Sequence, residues 1–370
     1  MHENRQILRI VPVHIIHPRE PSEISVYVGD EFEALINTLG AKIVDRVIQK
    51  LEKPHNATYI GRGKVDEIAK IVREKDVDVV VIDAMIKPGQ LHLLKTLLEI
   101  ENTNIQVWDR VALVLSIFDK HANTLEAKLQ IELARMNYMG PRIYGMGFVL
   151  SRQAGGIGTS GIGETNTELM KRHWRQEKKK IMDQLAKNTA NRENQLDRRR
   201  KAGFKTVSIV GYTNVGKSSL FNVLTKKENL EKNALFATLD SAVGKTYIPQ
   251  LQSEVLISDT IGFIRNLPPL LVSAFKSTLM ESIHADLVLH VIDSSDPEMD
   301  IKIHVVQSIL RELGIDEKNI VFVFNKIDLV ENLDKTALVE KYTRFAPVFI
   351  SVKAVEGVPQ IVDLIASRLA

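Results

Sequence analysis

Short runs of β-branched apolar residues alternate with amphipathic segments at both ends of the chain, and a long polar stretch lies between them. Near the start, ILRIVPVHII reads as a first strand and DEFEALINTLGA as a helix that stops at Gly40. AKIVDRVIQKL is the next apolar run, and its shortness leaves strand and helix both open. KVDEIAKIVREKD has helical spacing, DVVVID (78–83) reads as a buried strand, and QLHLLKTLLEI as a further helix. Strands alternating with helices over residues 1–115 predict a small parallel sheet with helical cover. From Lys205 the rhythm is more regular. KTVSIV, EVLISD, LVLHVID, IVFVFN and PVFIS are separated by helical segments, the pattern of a doubly wound sheet over residues 204–370.

The middle, residues 116–203, reads as a helical hairpin forming a domain of its own. TLEAKLQIELARMNYM (124–139) predicts a helix that stops at Gly140-Pro141, and the glycine-rich AGGIGTSGIGE (154–164) follows. Thr165 to Ala202 contains neither glycine nor proline. Thr165 with Glu168 fits a capping box and Gly203 a helix stop. A helix of that extent would reach roughly 55–60 Å at ~1.5 Å per residue. The two helices are expected to lie antiparallel. Gly156 to Gly161 also fits G-x-G-x-x-G, but no strand precedes it, so a dinucleotide site is not expected there.

Composition narrows the class. Apolar residues make up 44% and charged residues 26% of 370 positions, with no cysteine, which excludes disulfides, thiolate metal sites and a cysteine nucleophile. The first residues carry no signal-peptide pattern and no run is apolar enough to span a membrane, so a cytoplasmic protein is expected. Net charge is only +3, but the cations are concentrated. Between Lys171 and Lys201 stand Lys178, Lys179, Lys180, Arg198, Arg199 and Arg200 among others, against Glu177, Asp183, Glu193 and Asp197. Such an element can neutralise nucleic-acid phosphates; a solvated helix face would carry the same charges.

The chemistry lies after Lys205. Gly211, Tyr212, Thr213, Asn214, Val215, Gly216, Lys217 and Ser218 fit G-x-x-x-x-G-K-[ST], with a strand before and an apolar helix after. Backbone N–H groups and the helix N-terminus there would cradle phosphates, Lys217 would neutralise them, and Ser218 would ligate Mg²⁺ directly. Asp259, Thr260, Ile261 and Gly262 close EVLISD; the aspartate can hold Mg²⁺ through water, and the glycine N–H can reach a γ-phosphate. Asn325, Lys326, Ile327 and Asp328 close IVFVFN, and a carboxylate there can accept two N–H donors from guanine, a pairing adenine cannot offer. Ser351, Val352 and Lys353 can offer a backbone N–H to the guanine oxygen. The four elements in this order point to GTP and GDP. Between them, Phe236, Ala237, Thr238, Leu239 and Asp240 occupy the position of a nucleotide-sensing switch, with Thr238 reaching Mg²⁺ and the γ-phosphate. Lys217, Thr238 and Gly262 are the expected catalytic groups. Where Ras-like proteins carry a water-orienting glutamine after D-x-x-G, this chain has Phe263, so slow intrinsic hydrolysis is expected. Asn214 is either a loop cap or, as in cation-activated relatives, a ligand for K⁺.

The phrases Gly61-Arg62-Gly63-Lys64-Val65-Asp66-Glu67, Lys128-Leu129-Gln130-Ile131-Glu132-Leu133-Ala134, Gly161-Ile162-Gly163-Glu164-Thr165, FATLD (236–240) and the run from Asp259 through Phe263, Ile264, Arg265, Asn266 and Leu267 to Pro268 resemble the HflX-type GTPases over nearly the whole chain. The resemblance implies an α/β protein: a small parallel N-terminal domain and a long helical hairpin, followed by a Ras-like doubly wound P-loop GTPase domain. It also implies binding to ribosomal RNA of the large subunit, in recycling, rescue, translation or ribosome assembly, by a protein that is a monomer when free. The rival expectation is a GTP-dependent switch acting on a protein partner, with an incidental basic helix.

Overall fold

The structure is a computed structural model that describes residues 7–18, 22–153, 162–226, 236, 242–265, 268, 271 and 279–370, the backbone alone at 22–28, 141–153 and 162–170. The chain packs as two compact units. Met1–Lys120 with Ile131–Met182 forms one, and His121–Gln130 with Asp183–Ala370 the other.

The first unit runs β1 (Arg9–Ile16), α1 (Ser22–Leu39), β2 (Lys42–Ile43), β3 (Val47–Lys50), α2 (Arg62–Lys75), β4 (Val79–Ile82), α3 (Pro88–Leu98), β5 (Gln106–Asp109) and α4 (Arg110–His121). All its strand pairs are parallel. β1 is central, with β4 and then β5 on one side, while β2 and β3 share its other edge end to end. The ambiguous run at 41–51 is therefore two short strands. The chain steps between them where Asp45 and Arg46 turn outward, to Lys75 and Glu33 respectively. Val11, Val13, Val80, Ile82 and Val107 of the strands pack with Ile68 and Val72 of α2 and Leu94 and Leu98 of α3. Helix α1, whose buried Phe32, Leu35 and Ile36 recur at helical spacing, packs against β1. It stops at Leu39 as expected, because Gly40 takes φ +75.

The hairpin helices are longer than the sequence predicts. α5 spans Leu125–Gln153 and α6 spans Ile162–Lys201. Gly140 does not stop α5: it avoids the left-handed region and lies against Trp174, 3.7 Å from where its Cβ would sit. Pro141 removes one N–H from the ladder without ending the helix. Because α6 starts at Ile162, Thr165 lies within it and the expected capping box does not form the start. The other end is as expected. Gly203 takes φ +77, its N–H reaches Arg200 O at 2.9 Å, and Phe204 N–H reaches Arg199 O at 3.1 Å, a Schellman closure. The antiparallel pairing is visible within each unit, in Gly140 beside Trp174 and in Arg192 joined to Glu126 at 3.2 Å. Residues 154–161, with the G-x-G-x-x-G match, lie outside the described residues.

The second unit continues with β6 (Lys205–Gly211), α7 (Lys217–Thr225), β7 (Ala242–Ile248), β8 (Ser253–Asp259), the single turn α8 (Met280–Ile283), β9 (Leu287–Asp293), α9 (Met299–Glu312), β10 (Ile320–Asn325), α10 (Lys335–Lys341), β11 (Val348–Phe349) and α11 (Val358–Leu369). The strand order is β11-β10-β9-β6-β8-β7. Every pairing is parallel except β7 on β8. Strand β7, AVGKTYI, is not predicted by sequence. As an exposed edge it needs no continuous apolar run, and Gly244 lies so near Thr225 that a Cβ would be 2.5 Å from its Cγ2. Of the strands read from sequence as apolar runs, β6, β9 and β10 are the buried ones, since a parallel strand covered on both faces has no polar side to show. The carboxyl ends of β6, β8, β9 and β10 therefore converge on one edge, carrying Gly211, Asp259, Asp293 and Asn325.

Candidate nucleotide site

Strand β6 ends against its neighbour. Gly211 takes φ +153 and a Cβ there would meet Val291 O at 2.4 Å, so only glycine lets the chain turn at this place. The loop reaches α7 through Asn214 at φ 63 and Gly216 at φ +96; a Cβ on Gly216 would sit 2.4 Å from Asn325 Nδ2. Lys217, the first residue of α7, is buried and donates to Tyr212 O at 2.6 Å. Burial pushes its pKa down to about 8, against the smaller opposing pull of Asp259. An ammonium so desolvated gains most from an anion brought to it. Ser218 Oγ donates to Asp259 Oδ2 at 2.7 Å, bringing a hydroxyl and a carboxylate oxygen together at the end of β8.

The segment after Asp259 lies on the loop. Thr260 Oγ1 donates to Ile209 O at 2.8 Å. A Cβ on Gly262 would be 2.8 Å from Lys217 Nζ and 2.8 Å from Thr213 Cγ2, so the D-x-x-G glycine is a close approach of backbone to the lysine. Phe263 is clamped at both ends: its N–H donates to Gly211 O at 3.1 Å, and Thr213 N–H donates to Phe263 O at 2.8 Å. Its ring is 1% exposed, in the core. The position of the missing glutamine is thus held by a buried aromatic ring.

The far end of the site is built by Asn325, whose side chain staples two loops. Its Nδ2 donates to Val215 O at 2.8 Å and its Oδ1 accepts from Val352 N–H at 3.0 Å. Asn325 is therefore a brace. Asp328, beyond Ile327, is exposed and makes no hydrogen bond among the described residues, leaving its carboxylate open to a base. Lys326 takes φ 62 and its ammonium pairs with Asp293 Oδ2 at 2.6 Å. Ser351 exchanges backbone bonds with Glu356 and accepts from Ala354 N–H, which closes the loop carrying Val352 and Lys353. Since Val352 N–H is taken by Asn325, the next amide, that of Lys353, is the one left to offer.

The P-loop, D-x-x-G, N-K-x-D and S-x-K residues thus meet at one sheet edge. Phe236 is buried at φ 59, while Ala237, Thr238, Leu239 and Asp240 lie outside the described residues. The basic residues belong to α6. Lys179 and Lys180 of α6 are exposed and Lys178 is half-buried. Arg198 is exposed, but Arg199 pairs with Glu281 at 3.4 Å and Arg200 donates to His284 O at 3.2 Å. Sequence reading overlooks Asp293, Arg265 and Glu298. Only Asp293 carries a signal, as the aspartate closing the apolar run LVLHVID.

The donor set suits a magnesium phosphate. Ser218 and Asp259 supply hard oxygen donors, and Lys217 with the left-handed glycines supplies cationic and backbone groups for phosphate. A parallel sheet with one antiparallel edge, a phosphate loop and a guanine-reading loop at its carboxyl end define a P-loop GTPase. GTPases of this class use Mg²⁺.

Comparison with known proteins places it further. Family models described as "GTP-binding GTPase N-terminal", "GTP-binding GTPase Middle Region" and "50S ribosome-binding GTPase" match residues 28–119, 121–199 and 206–326. GTPase HflX of Caldanaerobacter subterraneus subsp. tengcongensis is 42% identical over 323 residues, covering 87% of this chain and 73% of that protein. GTPase HflX of Escherichia coli K12 is 36% identical over 340 residues, covering 92% and 78%. The crystal structure of an SsGBP and GDP complex aligns over 98% of this chain and 99% of that one, with TM-score 0.56 and 26% identity. A GTP-binding protein from the archaeon Sulfolobus solfataricus in complex with GDP shares the fold, at TM-score 0.51 and 24% identity. The chain belongs to the HflX family of GTPases. No helix among the described residues is long and apolar enough to cross a membrane.

Proposed function

We propose that this GTPase uses its nucleotide state to bind and leave the large ribosomal subunit, through ribosomal RNA, in recycling, rescue, translation or subunit assembly. The observation that carries the reading is the run of exposed cations on α6, Lys179 and Lys180 with Arg198 further along, which suits a phosphate backbone read without sequence. The match to a family described as ribosome-binding supports it. Three parts divide the work: residues 1–115 as an α/β domain, 116–203 as the RNA-facing hairpin, and 204–370 as the GTPase.

In the nucleotide site, Gly211 to Ser218 cradle the phosphates, with Lys217 neutralising developing charge and Gly262 approaching the γ-phosphate. Ser218, Asp259 and Thr238 would hold Mg²⁺, which when bound stabilises charge on the phosphate oxygens. Asp328 and the loop Ser351–Lys353 select guanine. Asn214, exposed and left-handed, is suited to a K⁺ ligand role. With Phe263 in the core, the group that orients water comes from a partner, a bound cation or another residue, so intrinsic hydrolysis is slow.

Co-sedimentation with separated ribosomal subunits tests this. Retention on the large subunit with a non-hydrolysable GTP analogue but not with GDP is expected, weakened by charge reversal at Lys179 and Lys180. Absence of retention in both states at moderate salt refutes the ribosomal role and favours a protein partner.

A further inference from the structure

The turn between β9 and α9, residues 293–298, touches three parts of the nucleotide site at once. At its start, Asp293 Oδ2 holds Lys326 of the guanine-reading loop at 2.6 Å, while Asp293 Oδ1 accepts from Ser295 N–H and Oγ at 3.0 and 2.6 Å. Ser294 N–H donates to Asn325 O at 2.9 Å, fixing the turn to the same loop a second time. In its middle, Asp296 accepts from Glu298 N–H at 2.9 Å and pairs with Lys302, whose ammonium lies 5.1 Å from the centre of the Tyr212 ring in the P-loop. At its end, Glu298, 7% exposed, holds Arg265 at 3.1 Å. Arg265 is the third residue after the D-x-x-G glycine, and its own N–H donates to the Tyr212 hydroxyl at 2.5 Å.

The geometry points to this turn as a coupler between guanine recognition and the D-x-x-G segment, with Glu298 and Tyr212 as positioning residues that hold that segment paired to the P-loop. The pairing has a definite consequence. Thr213 N–H is donated to Phe263 O and so is withheld from a phosphate. A γ-phosphate that recruits the Thr213 N–H would have to break this bond, and GDP carries no γ-phosphate. Glu298 and the Tyr212 hydroxyl therefore restrain GTP binding relative to GDP, and Lys326, by fixing Asp293, sets how firmly the restraint is anchored. Residues far apart in sequence are joined here through side chains that are half-buried or buried, where ion pairs are less screened than at the surface.

This coupling rests on the P-loop nucleotide site and not on any ribosomal role, so it is tested without ribosomes. The measurement is the affinity of the full chain for fluorescent GTP-analogue and GDP, in the wild type and in E298Q, Y212F, D293N and the double variant D293N/E298Q. Expected is a rise of about threefold or more in the ratio of GTP-analogue to GDP affinity for E298Q and Y212F, with only a small drop in melting temperature in Y212F, which loses one hydrogen bond. The double variant should show a smaller effect than the product of the singles, because both act through one turn. An unchanged or lowered ratio in both Y212F and E298Q overturns the restraint, and multiplicative behaviour of D293N with E298Q overturns the coupling. Y212F deletes one hydroxyl and keeps the ring beside Lys302, so it distinguishes a positioning role from loss of folding.

Discussion

Both units of this protein bring the carboxyl ends of parallel strands to one edge, the usual position for a ligand in an open α/β sheet. They treat charge there in opposite ways. In the first unit Arg110, its side chain 4% exposed, joins Glu31 and Asp83 at 2.6 Å each, and Asp109 accepts from Tyr138 and from Ala112 N–H. That edge pairs its cation from within, with carboxylate to spare. In the second unit Lys217 is buried against a backbone carbonyl, and the glycines on either side keep side chains away from it. That edge is completed by an anion from outside. Topology offers the place, and the unbalanced cation among backbone amides makes it a phosphate site.

The comparison is broken most strongly by removing the unbalanced cation. Lys217→Met should lower the turnover number about 100-fold or more, the scale of losing an electrostatic contact to the transition state. Its melting temperature should not fall, because a desolvated ammonium is replaced by an apolar chain of similar length. Single-turnover hydrolysis and thermal unfolding check both halves.

Breaking the internally paired edge should act on stability instead. Arg110→Met strands two carboxylates that are nearly buried, and about 3–5 kcal/mol should be lost in urea unfolding. GTP affinity should be unaltered. A nucleotide defect in that variant would contradict the separation of the two edges.

A smaller effect sharpens the picture at the guanine end. Asp328→Asn removes a charge-assisted acceptor and should weaken GTP binding about tenfold. The side chain is exposed, so stability should hold. Equilibrium binding of GTP, with ATP as the control, reads this directly.

The smallest expected effect depends on pH. His290 on β9 is held down to about 3, by burial first and then by the charge of Lys217, from an ordinary value of 6.5. Between those values the unfolded chain binds the extra proton, so this histidine lowers stability as pH falls below about 6.5. From pH 7.5 to 5.5 the loss should be about 1 kcal/mol. His290→Gln should remove that share of the slope. His14 in the first unit is also lowered, mainly by burial, and has the same sign, so the wild type is the needed reference.

Much of the second edge was legible in the sequence because its elements are short and contiguous. A glycine loop after an apolar strand, and an aspartate or asparagine closing such a strand, have a local physical reason and leave a local mark. The first edge left none. Arg110 and its partner Glu31 are 79 positions apart, and no spacing rule joins them. Arg265 stands in a run that resembles the family, but nothing in the sequence joins it to Glu298, 33 positions on. Strand β7 was missed because an edge strand with lysine and glycine lacks the apolar density of the buried ones. The stop expected at Gly140-Pro141 failed for a tertiary reason, since Trp174 beside Gly140 favours a continuous helix over the local breaker. The sequence does not separate strand β5 from helix α4 because QVWDRVALVLSIFDKH is one largely apolar stretch, and the change of period at Asp109 is visible only once that side chain caps Ala112.

The closure at Gly203 has a mechanical meaning. Helix α6 ends at Lys201 and β6 begins at Lys205, so Ala202, Gly203 and Phe204 are the entire joint. Fully extended they would span only about 10 Å, and the left-handed turn with its two backbone bonds shortens them further. A pull along the helix would first open this closed turn, so its two backbone bonds are the reserve of length between α6 and β6, whose opposite end is Gly211.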